Sequence, residues 1–384
     1  MFGLLIVSGY VYVPHFFRLS YRNDIQAAAL EPIASTTVVA AAIPFLATHI
    51  ATPKVVKGVY MTSWVAGTTA GRDRIINLID STEINTVVID IKDYTGRVSF
   101  AVNDPYLKAF GSVENRIPDI DNLIDALHKK NIYVIGRISS FQDAYLVKTH
   151  PEWAVRRASD GGVWQDHKGI SWLDVSAKPV WDYLVAIGKE AYSHGFDELN
   201  FDYIRFPSDG NMKDIAYTFS GNQKKSDAVK NFFAYLSEKL RDPKTYGEGT
   251  TTPAISADLF GMTTTNKDDL GIGQVLENGL AYFDFVDPMV YPSHYPPNFD
   301  GYDNPNHYPY EIVHFSMSSA VERAKVASTT PLKLRPWLQD FNLGGIYDAA
   351  AVRKQIQATY DSGLTSWILW NASNVYTKGA LLPQ

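Results

Sequence analysis

The sequence contains no cysteine among its 384 residues. Disulfide bonds, thiolate metal sites and cysteine nucleophiles are therefore excluded. Basic residues are not in excess either, because 35 Lys and Arg face 41 Asp and Glu, which gives a formal net charge of −6. Such a chain has no overall positive field that attracts nucleic acid, so we predict no nucleic-acid partner.

Nucleotide and zinc motifs are missing as well. Neither GxGxxG nor GxxxxGK[ST] occurs, which argues against a nucleotide cofactor. Three histidines, His294, His307 and His314, lie near one another in the sequence, but the HxH and HExxH spacings of zinc sites do not occur. We therefore predict that the protein uses no cofactor and no metal.

Aromatic residues are abundant, with 23 Tyr and 8 Trp. These side chains combine flat apolar faces with a polar edge, which suits both sugar rings and ordinary protein cores. The chain is 46% hydrophobic and 20% charged, which is typical of a packed globular protein. Composition alone leaves the two uses of the aromatic residues open.

The N-terminal region differs from the rest of the chain. Residues 1–17 carry no Asp, Glu, Lys or Arg, and residues 18–54 show no domain pattern. The apolar stretch is at the lower limit of a membrane span. It is either a signal anchor or export segment, or an apolar arm packed on the domain. We predict a hydrophobic segment and tether over 1–54, and an extracytoplasmic protein that is anchored at the cell surface or secreted.

From residue 55 onward, apolar β-branched runs alternate with amphipathic stretches of helical length. The eight predicted strands span 55–64, 84–93, 131–141, 196–206, 252–261, 283–292, 332–341 and 364–371. The predicted helices span 71–82, 119–131, 178–195, 226–240, 316–328 and 348–363. This alternation predicts a (β/α)8 TIM barrel over 55–384, with long loops after strands 3 and 6.

Polar side chains concentrate at the C-terminal ends of the predicted strands, where TIM barrels carry their active sites. In strand four, Glu198, Asn200 and Asp202 alternate and therefore share one face. The other polar or aromatic residues that we predict to reach this rim are Asp90, Lys92, Asp93, Arg137, Arg205, Asp258, Tyr291, His294, Arg335, Trp337, Gln339, Asp340, Trp370 and Asn371.

Six motifs together resemble the DUF4015 family of glycosyl hydrolase domains. They are GVYMTSW, VVIDIKDYTG, GFDELNFDYIRFPSDG, DPMVYPSHY, RPWLQDF and SWILWNASNVY, and they occur in the order of the family within residues 55–376. The resemblance implies a TIM barrel distantly related to α-amylase-like and other retaining glycosidases. It implies no particular substrate.

Glycoside hydrolysis uses two carboxyl groups, roughly 5–5.5 Å apart for retention and roughly 6.5–9.5 Å apart for inversion. We predict Asp202 as the ionised nucleophile, with Arg205 as the cation that keeps it charged. The resemblance supports this role, since amylase-like barrels carry their nucleophile at the end of strand four. Asp258 is the predicted acid/base, because apolar neighbours raise the pKa of a carboxyl. Asp340 is the competing candidate.

The remaining rim residues are predicted to bind substrate. Asp90, Lys92 and Asp93 form either a hydroxyl-recognition site or an internal salt-bridge network. We expect Glu198 to pair with Lys92 or Arg137 inside the barrel. The residues predicted as sugar platforms are Tyr291, His294, Trp337 and Trp370.

Two loops are predicted to form the walls of a cleft above this rim. Segment 142–176 contains Asp160-Gly161, a turn dipeptide typical of a β-hairpin. Segment 293–310 is rich in Pro, Asn and Tyr. The hypothesis is a glycosidase that acts on a cell-surface or extracellular polysaccharide. The alternative is a non-catalytic carbohydrate-binding barrel.

Overall fold

Eight parallel strands close into a barrel in chain order in the computed structural model, which describes residues 47–246 and 251–384. The strands are β1 Lys57–Met61, β2 Thr86–Lys92, β3 Tyr133–Ser139, β4 Glu198–Asp202, β5 Ala254–Phe260, β6 Phe285–Met289, β7 Trp337–Gln339 and β8 Trp367–Trp370. Each strand lies inside its predicted range. The predicted TIM barrel is therefore confirmed.

Helices follow the strands along the described chain. They are α1 Ser63–Ala66, α2 Thr69–Ile79, α3 Pro105–Phe110, α4 Ile120–His128, α5 Ala144–Thr149, α6 Lys178–Ser193, α7 Lys225–Arg241, α8 Leu276–Tyr282, α9 Pro309–Val326 and α10 Ala349–Asp361. The sequence prediction missed the short helices α1, α3, α5 and α8, none of which is longer than seven residues. Helix α9 begins earlier than predicted because Pro309 stands in its first turn, where proline is tolerated.

The barrel has two separate apolar layers. The larger layer packs the outward side chains of the strands against the helices. The smaller one lies inside the barrel and contains Val56, Tyr60, Val88, Tyr133, Ile135, Tyr291, Trp337 and Ile368. Since strand residues alternate between the two faces, Glu198, Asn200 and Asp202 share the interior with this smaller layer. All three are buried, as the alternation predicted.

The predicted hairpin follows β3. Arg156 and Val163 form an antiparallel bridge, and a second bridge joins Ala154 to Leu173. The turn uses Gly161 at a φ of 71°, a left-handed conformation that glycine adopts at little cost. This hairpin stands on the same side of the barrel as the C-terminal ends of the strands.

Most of the predicted N-terminal tether, residues 1–46, lies outside the described residues, so the tether stays a prediction. The end of this segment contacts the barrel. The backbone N–H of Ile50 donates to Asp197 Oδ1 at 2.8 Å, and Thr52 Oγ1 lies 2.9 Å from the Tyr133 hydroxyl. Within residues 47–246 and 251–384, no helix has the length and apolar character needed to cross a bilayer.

Candidate active site

Four consecutive strands bring acidic and basic side chains together at the C-terminal end of the barrel. Asp90 comes from β2, Arg137 from β3, Asp202 from β4 and Asp258 from β5. The strand register places Arg137 beside Asp90 and opposite Asn200, two residues before Asp202. The structure therefore gathers four of the residues that were predicted to reach the rim.

Arg137 is the centre of this group. Its Nη1 donates to Asp90 Oδ1 at 2.7 Å, and its Nε and Nη2 donate to Asp202 Oδ2 at 3.1 and 2.5 Å. Burial alone would lower the pKa of Arg137, but the negative charges of Asp202 and Asp90 outweigh burial and raise its pKa well above the usual value. The guanidinium is therefore permanently charged.

The predicted pairing of Asp202 with Arg205 is wrong. Arg137, on the neighbouring strand, is the ion-pair partner of Asp202. The described residues contain no ion pair between Asp202 and Arg205, whose side chain turns toward Trp172 and Phe260. The reason is the backbone after the strand. Tyr203 has a φ of 51°, so the chain turns sharply and carries Arg205 away.

This turn also fixes the Asp202 carboxylate. The N–H of Tyr203 donates to Asp202 Oδ1 at 2.5 Å. A left-handed conformation is costly for a bulky residue and persists only where the surroundings enforce it. Both carboxylate oxygens are thus held in place, and Asp202 keeps 6% of its surface exposed.

Asp258 has the opposite environment. Its Oδ1 accepts from Asn200 Nδ2 at 2.9 Å and from Trp337 Nε1 at 2.8 Å, which leaves Oδ2 to carry a proton. Burial, together with the negative charges of Asp202 and Asp287, raises the pKa of Asp258 well above its usual value. Asp258 is therefore suited to donate a proton, which is the role that the sequence predicted for it.

The separation of the two carboxyl groups follows from their shared neighbour. Arg137 Nε lies 3.1 Å from Asp202 Oδ2 and 3.9 Å from Asp258 Oδ2. The two oxygens are therefore no more than about 7 Å apart, a limit that covers the retaining range and only the shortest inverting separations.

Two aromatic residues complete the floor. The Tyr60 hydroxyl donates to Asp90 Oδ2, and the Tyr60 ring stacks on Trp370 with ring centroids 4.1 Å apart. Arg137 lies 5.1 Å from the centroid of Trp370, which is partly exposed as a sugar platform requires. The sequence reading missed Tyr60. The available signal was its position in the first predicted strand, beside strands whose C-terminal ends are polar.

Several predicted substrate-binding residues are instead committed to the protein interior. Trp337 is 1% exposed, so its ring cannot stack on a sugar, and its role is to bind Asp258. Gln339 is fully buried and bonds to the backbone of Ser293 and Phe341. Both predictions are therefore corrected.

The competing carboxylate, Asp340, belongs to the C-terminal segment. Its two oxygens accept from the side chain and the backbone N–H of Thr377, at 2.6 and 2.8 Å. Asn371 bonds to the carbonyl oxygens of Asp340 and Val375 in the same region. These contacts favour a structural role for Asp340 and Asn371.

The three charged residues at the end of β2 have three different partners. Asp90 faces the site, as described above. Lys92 is fully buried and pairs with Asp143 at 2.8 Å, whereas Asp93 pairs with Arg116 at 2.6 Å. For Lys92 and Asp93, the salt-bridge interpretation holds and hydroxyl recognition does not.

A buried charge triad, formed by Glu198, Arg335 and Asp287, lies deeper in the barrel. Arg335 Nη1 donates to Glu198 Oε2 and its Nε to Asp287 Oδ1, both at 3.0 Å. All three side chains are fully enclosed. Arg335 is therefore not at the rim, and Glu198 pairs with Arg335 rather than with Lys92 or Arg137. Asn200 connects the triad to Asp258, since its Nδ2 also lies 3.3 Å from Asp287 Oδ2.

The two remaining predicted platforms lie after β6. Tyr291 is buried, and the negative charges of Asp258 and Asp202 add to burial in raising its pKa. His294 is exposed and packs edge to face on Tyr291. Desolvation and the positive charge of Lys168 lower the pKa of His294.

Across residues 47–246 and 251–384, no three His, Cys, Asp or Glu side chains are arranged to hold a metal ion. The absence of a cofactor stays a prediction.

Comparisons with known proteins identify the family of the chain. Residues 58–376 match the DUF4015 family, which is described as "Putative glycosyl hydrolase domain". No curated protein sequence matches the chain significantly.

Solved structures that are similar to this chain include the following three. A hypothetical protein from Ruminiclostridium thermocellum is 34% identical and has a TM-score of 0.46, with 56% of this chain and 98% of that chain covered. The glycoside hydrolase domain of PgaB (BpsB) from Bordetella bronchiseptica is 13% identical with a TM-score of 0.59, covering 83% and 95%. A class V chitinase mutant from Cycas revoluta, in complex with (GlcNAc)3, is 9% identical with a TM-score of 0.46, covering 83% and 96%. The PgaB likeness supports the TIM-barrel fold alone.

Proposed function

Because the chain belongs to the DUF4015 family of glycosyl hydrolase domains, we propose that it is a retaining glycosidase in which Asp202 and Asp258 cleave the glycosidic bond. The single observation that carries this proposal is the pair of carboxyl groups with opposite environments. Asp202 is ion-paired with Arg137, and burial raises the pKa of Asp258. Two neighbouring carboxyls of opposite protonation are what this reaction requires.

The first step forms a covalent intermediate. A carboxylate oxygen of Asp202 attacks the anomeric carbon while Asp258 donates its proton to the glycosidic oxygen. The carbon–oxygen bond breaks, and its electron pair leaves with the protonated alcohol. Arg137 stays bound to Asp90 and holds Asp202 in position throughout.

The second step reverses the role of Asp258. Its carboxylate removes a proton from water, and the resulting nucleophile attacks the anomeric carbon and releases Asp202. Asn200 and Trp337 still donate to Oδ1, so Oδ2 remains the oxygen that exchanges the proton. Asp258 ends protonated and ready for the next cycle.

We propose an extracellular or cell-surface polysaccharide as the substrate. The partly exposed Trp370 at the floor and the two loops above it favour a chain of sugars over a single ring. Export of the protein through its N-terminal segment, which the sequence predicts, would place the site where such polymers occur.

A panel of aryl glycosides and cell-surface polysaccharides tests the proposed function. We expect wild-type protein to release sugar from at least one of them and Asp202→Asn protein to release none above background. Binding without release by both proteins would instead support the carbohydrate-binding alternative. The near-complete burial of Asp202 and Asp258 is the observation that favours this alternative.

The pH dependence of catalysis tests how Asp258 is held protonated. Its carboxyl faces the negative charges of Asp202 and Asp287, the positive charge of Arg137 and the hydroxyl of Tyr291. Burial raises the pKa of Asp287 to about 6. Asp287→Asn removes a charge that raises the pKa of Asp258. The basic limb of kcat/KM should therefore move to lower pH, by about one unit for about 1.4 kcal/mol.

Asp340→Asn is the matched control, because it also removes a buried carboxyl, one bound by Thr377 instead. Its basic limb should stay at the wild-type pH. If the two variants shift the profile equally, or Asp287→Asn leaves it unchanged, Asp258 is not the group that titrates.

A further inference from the structure

Arg205 lies beside the proposed site in an unusual environment. Its guanidinium carbon is 4.8 Å from the ring centroid of Trp172 and 4.5 Å from that of Phe260. Arg205 is 7% exposed. Cation–π contacts of this kind hold a guanidinium in place but leave its positive charge unneutralised.

The side chain has no acidic partner within the described parts of the chain. Nη1 donates to the Phe206 carbonyl oxygen at 3.0 Å and to Ser208 Oγ at 3.2 Å. Nε and Nη2 have no acceptor among these residues, and they are not among the nitrogens that the protein fully encloses without a partner. Part of the surface of these two nitrogens is therefore accessible to solvent.

Other buried arginines show what is missing. Arg137 and Arg335 each bind two carboxylates, and charge pairing raises the pKa of both. Arg205 differs, because burial lowers its pKa and the attraction of Asp202, Asp209 and Asp166 does not compensate. A buried charge is costly unless it is paired, so this arginine lacks the anion that would neutralise it.

Arg205 is close to the proposed site, because the charge of Asp202 acts on its guanidinium. Arg205 is three residues beyond Asp202, and Phe260, which packs on its guanidinium, is two residues beyond Asp258. Trp172 belongs to the hairpin that forms one wall. An anion bound by Arg205 would therefore belong to a sugar at or next to the scissile bond.

We propose that Arg205 binds an acidic substituent, a carboxylate or a phosphate, on the glycan substrate. This inference rests on the proposed function for the identity of the ligand as a glycan. The planar fork of a guanidinium matches the two oxygens of such groups, and a bidentate contact would use the free nitrogens. The cation also offsets the repulsion that an acidic sugar would meet from Asp202.

Equilibrium binding tests the inference. The Asp202→Asn background prevents turnover in every arm. The ligands are a uronic-acid oligosaccharide, its carboxyl-reduced form and a phosphate-bearing oligosaccharide. We expect the parent to bind at least one acidic ligand at least tenfold more tightly than the neutral one. Arg205→Gln should abolish that preference and leave neutral binding unchanged. Whichever acidic ligand shows the preference identifies the acidic group.

Arg157→Gln is the matched control. Arg157 is an exposed arginine of the hairpin that contains Trp172, and it pairs with Asp160. It should bind all ligands like the parent, and melting temperatures should confirm that each variant is folded. No preference for either acidic ligand, or an equal loss for acidic and neutral ligands in Arg205→Gln, would overturn the inference. Hydrolysis is measured separately with Asp202 intact. If only neutral glycans are hydrolysed, the proposed function stands and the inference about Arg205 fails. If binding depends on Arg205 but no glycan is hydrolysed, the inference stands and only the proposed function fails.

Discussion

Asp202→Asn protein should lose about four orders of magnitude or more in kcat/KM, an effect of the size seen when a nucleophile is removed. The amide keeps the shape of the side chain and an oxygen for the Tyr203 N–H. It has no negative charge with which to attack the anomeric carbon. Steady-state hydrolysis of the best substrate, with the melting temperature measured alongside, checks this expectation.

Asp90→Asn distinguishes the effect of losing the nucleophile from the effect of losing an ion-pair partner of Arg137. Asp90 and Asp202 are both partners of Arg137, so either substitution removes one carboxylate from the same guanidinium. We expect Asp90→Asn to lower the melting temperature about as much as Asp202→Asn and to retain far more activity. If both variants lose activity equally, the charge balance of Arg137 is what matters, and Asp202 is not the nucleophile.

The second large effect is expected at Asp258 and depends on the leaving group. Asp258→Ala removes the proton donor, so hydrolysis of a glycoside with a poor leaving group should fall by a factor of 10² to 10⁴. An activated aryl glycoside leaves without protonation and should form the covalent intermediate nearly as fast as in the wild type. Its breakdown then becomes rate-limiting, because no base activates water.

Azide should restore turnover of the activated glycoside by Asp258→Ala, since this anion needs no base and fits the space that the carboxyl leaves. Asp258→Asn provides the comparison. It still accepts from Asn200 and Trp337 but leaves no space, so azide should help it much less. Equal losses for good and poor leaving groups, with no azide effect in either variant, would show that Asp258 is not the acid/base.

The barrel was predictable because its signals are local. Most strands are short apolar runs in the sequence, and every strand falls inside its predicted range. The raised pKa of Asp258 was also predictable, since apolar neighbours such as Leu259 and Phe260 indicate burial. Helix α8 was missed because seven residues that include Gly279 give too weak a periodic signal.

The errors at the site arise from cross-strand register, which one sequence does not display. Arg205 was chosen for Asp202 by sequence proximity, whereas the actual partner, Arg137, is 65 residues away in the chain. Arg335 was assigned to the rim because the predicted strand began at 332. The observed β7 begins at Trp337, so Arg335 precedes it and lies beside Glu198.

The buried charge triad also has a consequence for how the chain folds. Arg335 is separated from Glu198 by 137 residues and from Asp287 by 48. A folding intermediate that had assembled β4 and β6 without the segment leading into β7 would hold two carboxylates in its interior with no cation. Such an intermediate would have a high free energy, because unpaired charges are strongly disfavoured in a low-dielectric interior. The triad thus penalises partly closed barrels and makes closure of the last strands cooperative with the rest of the fold.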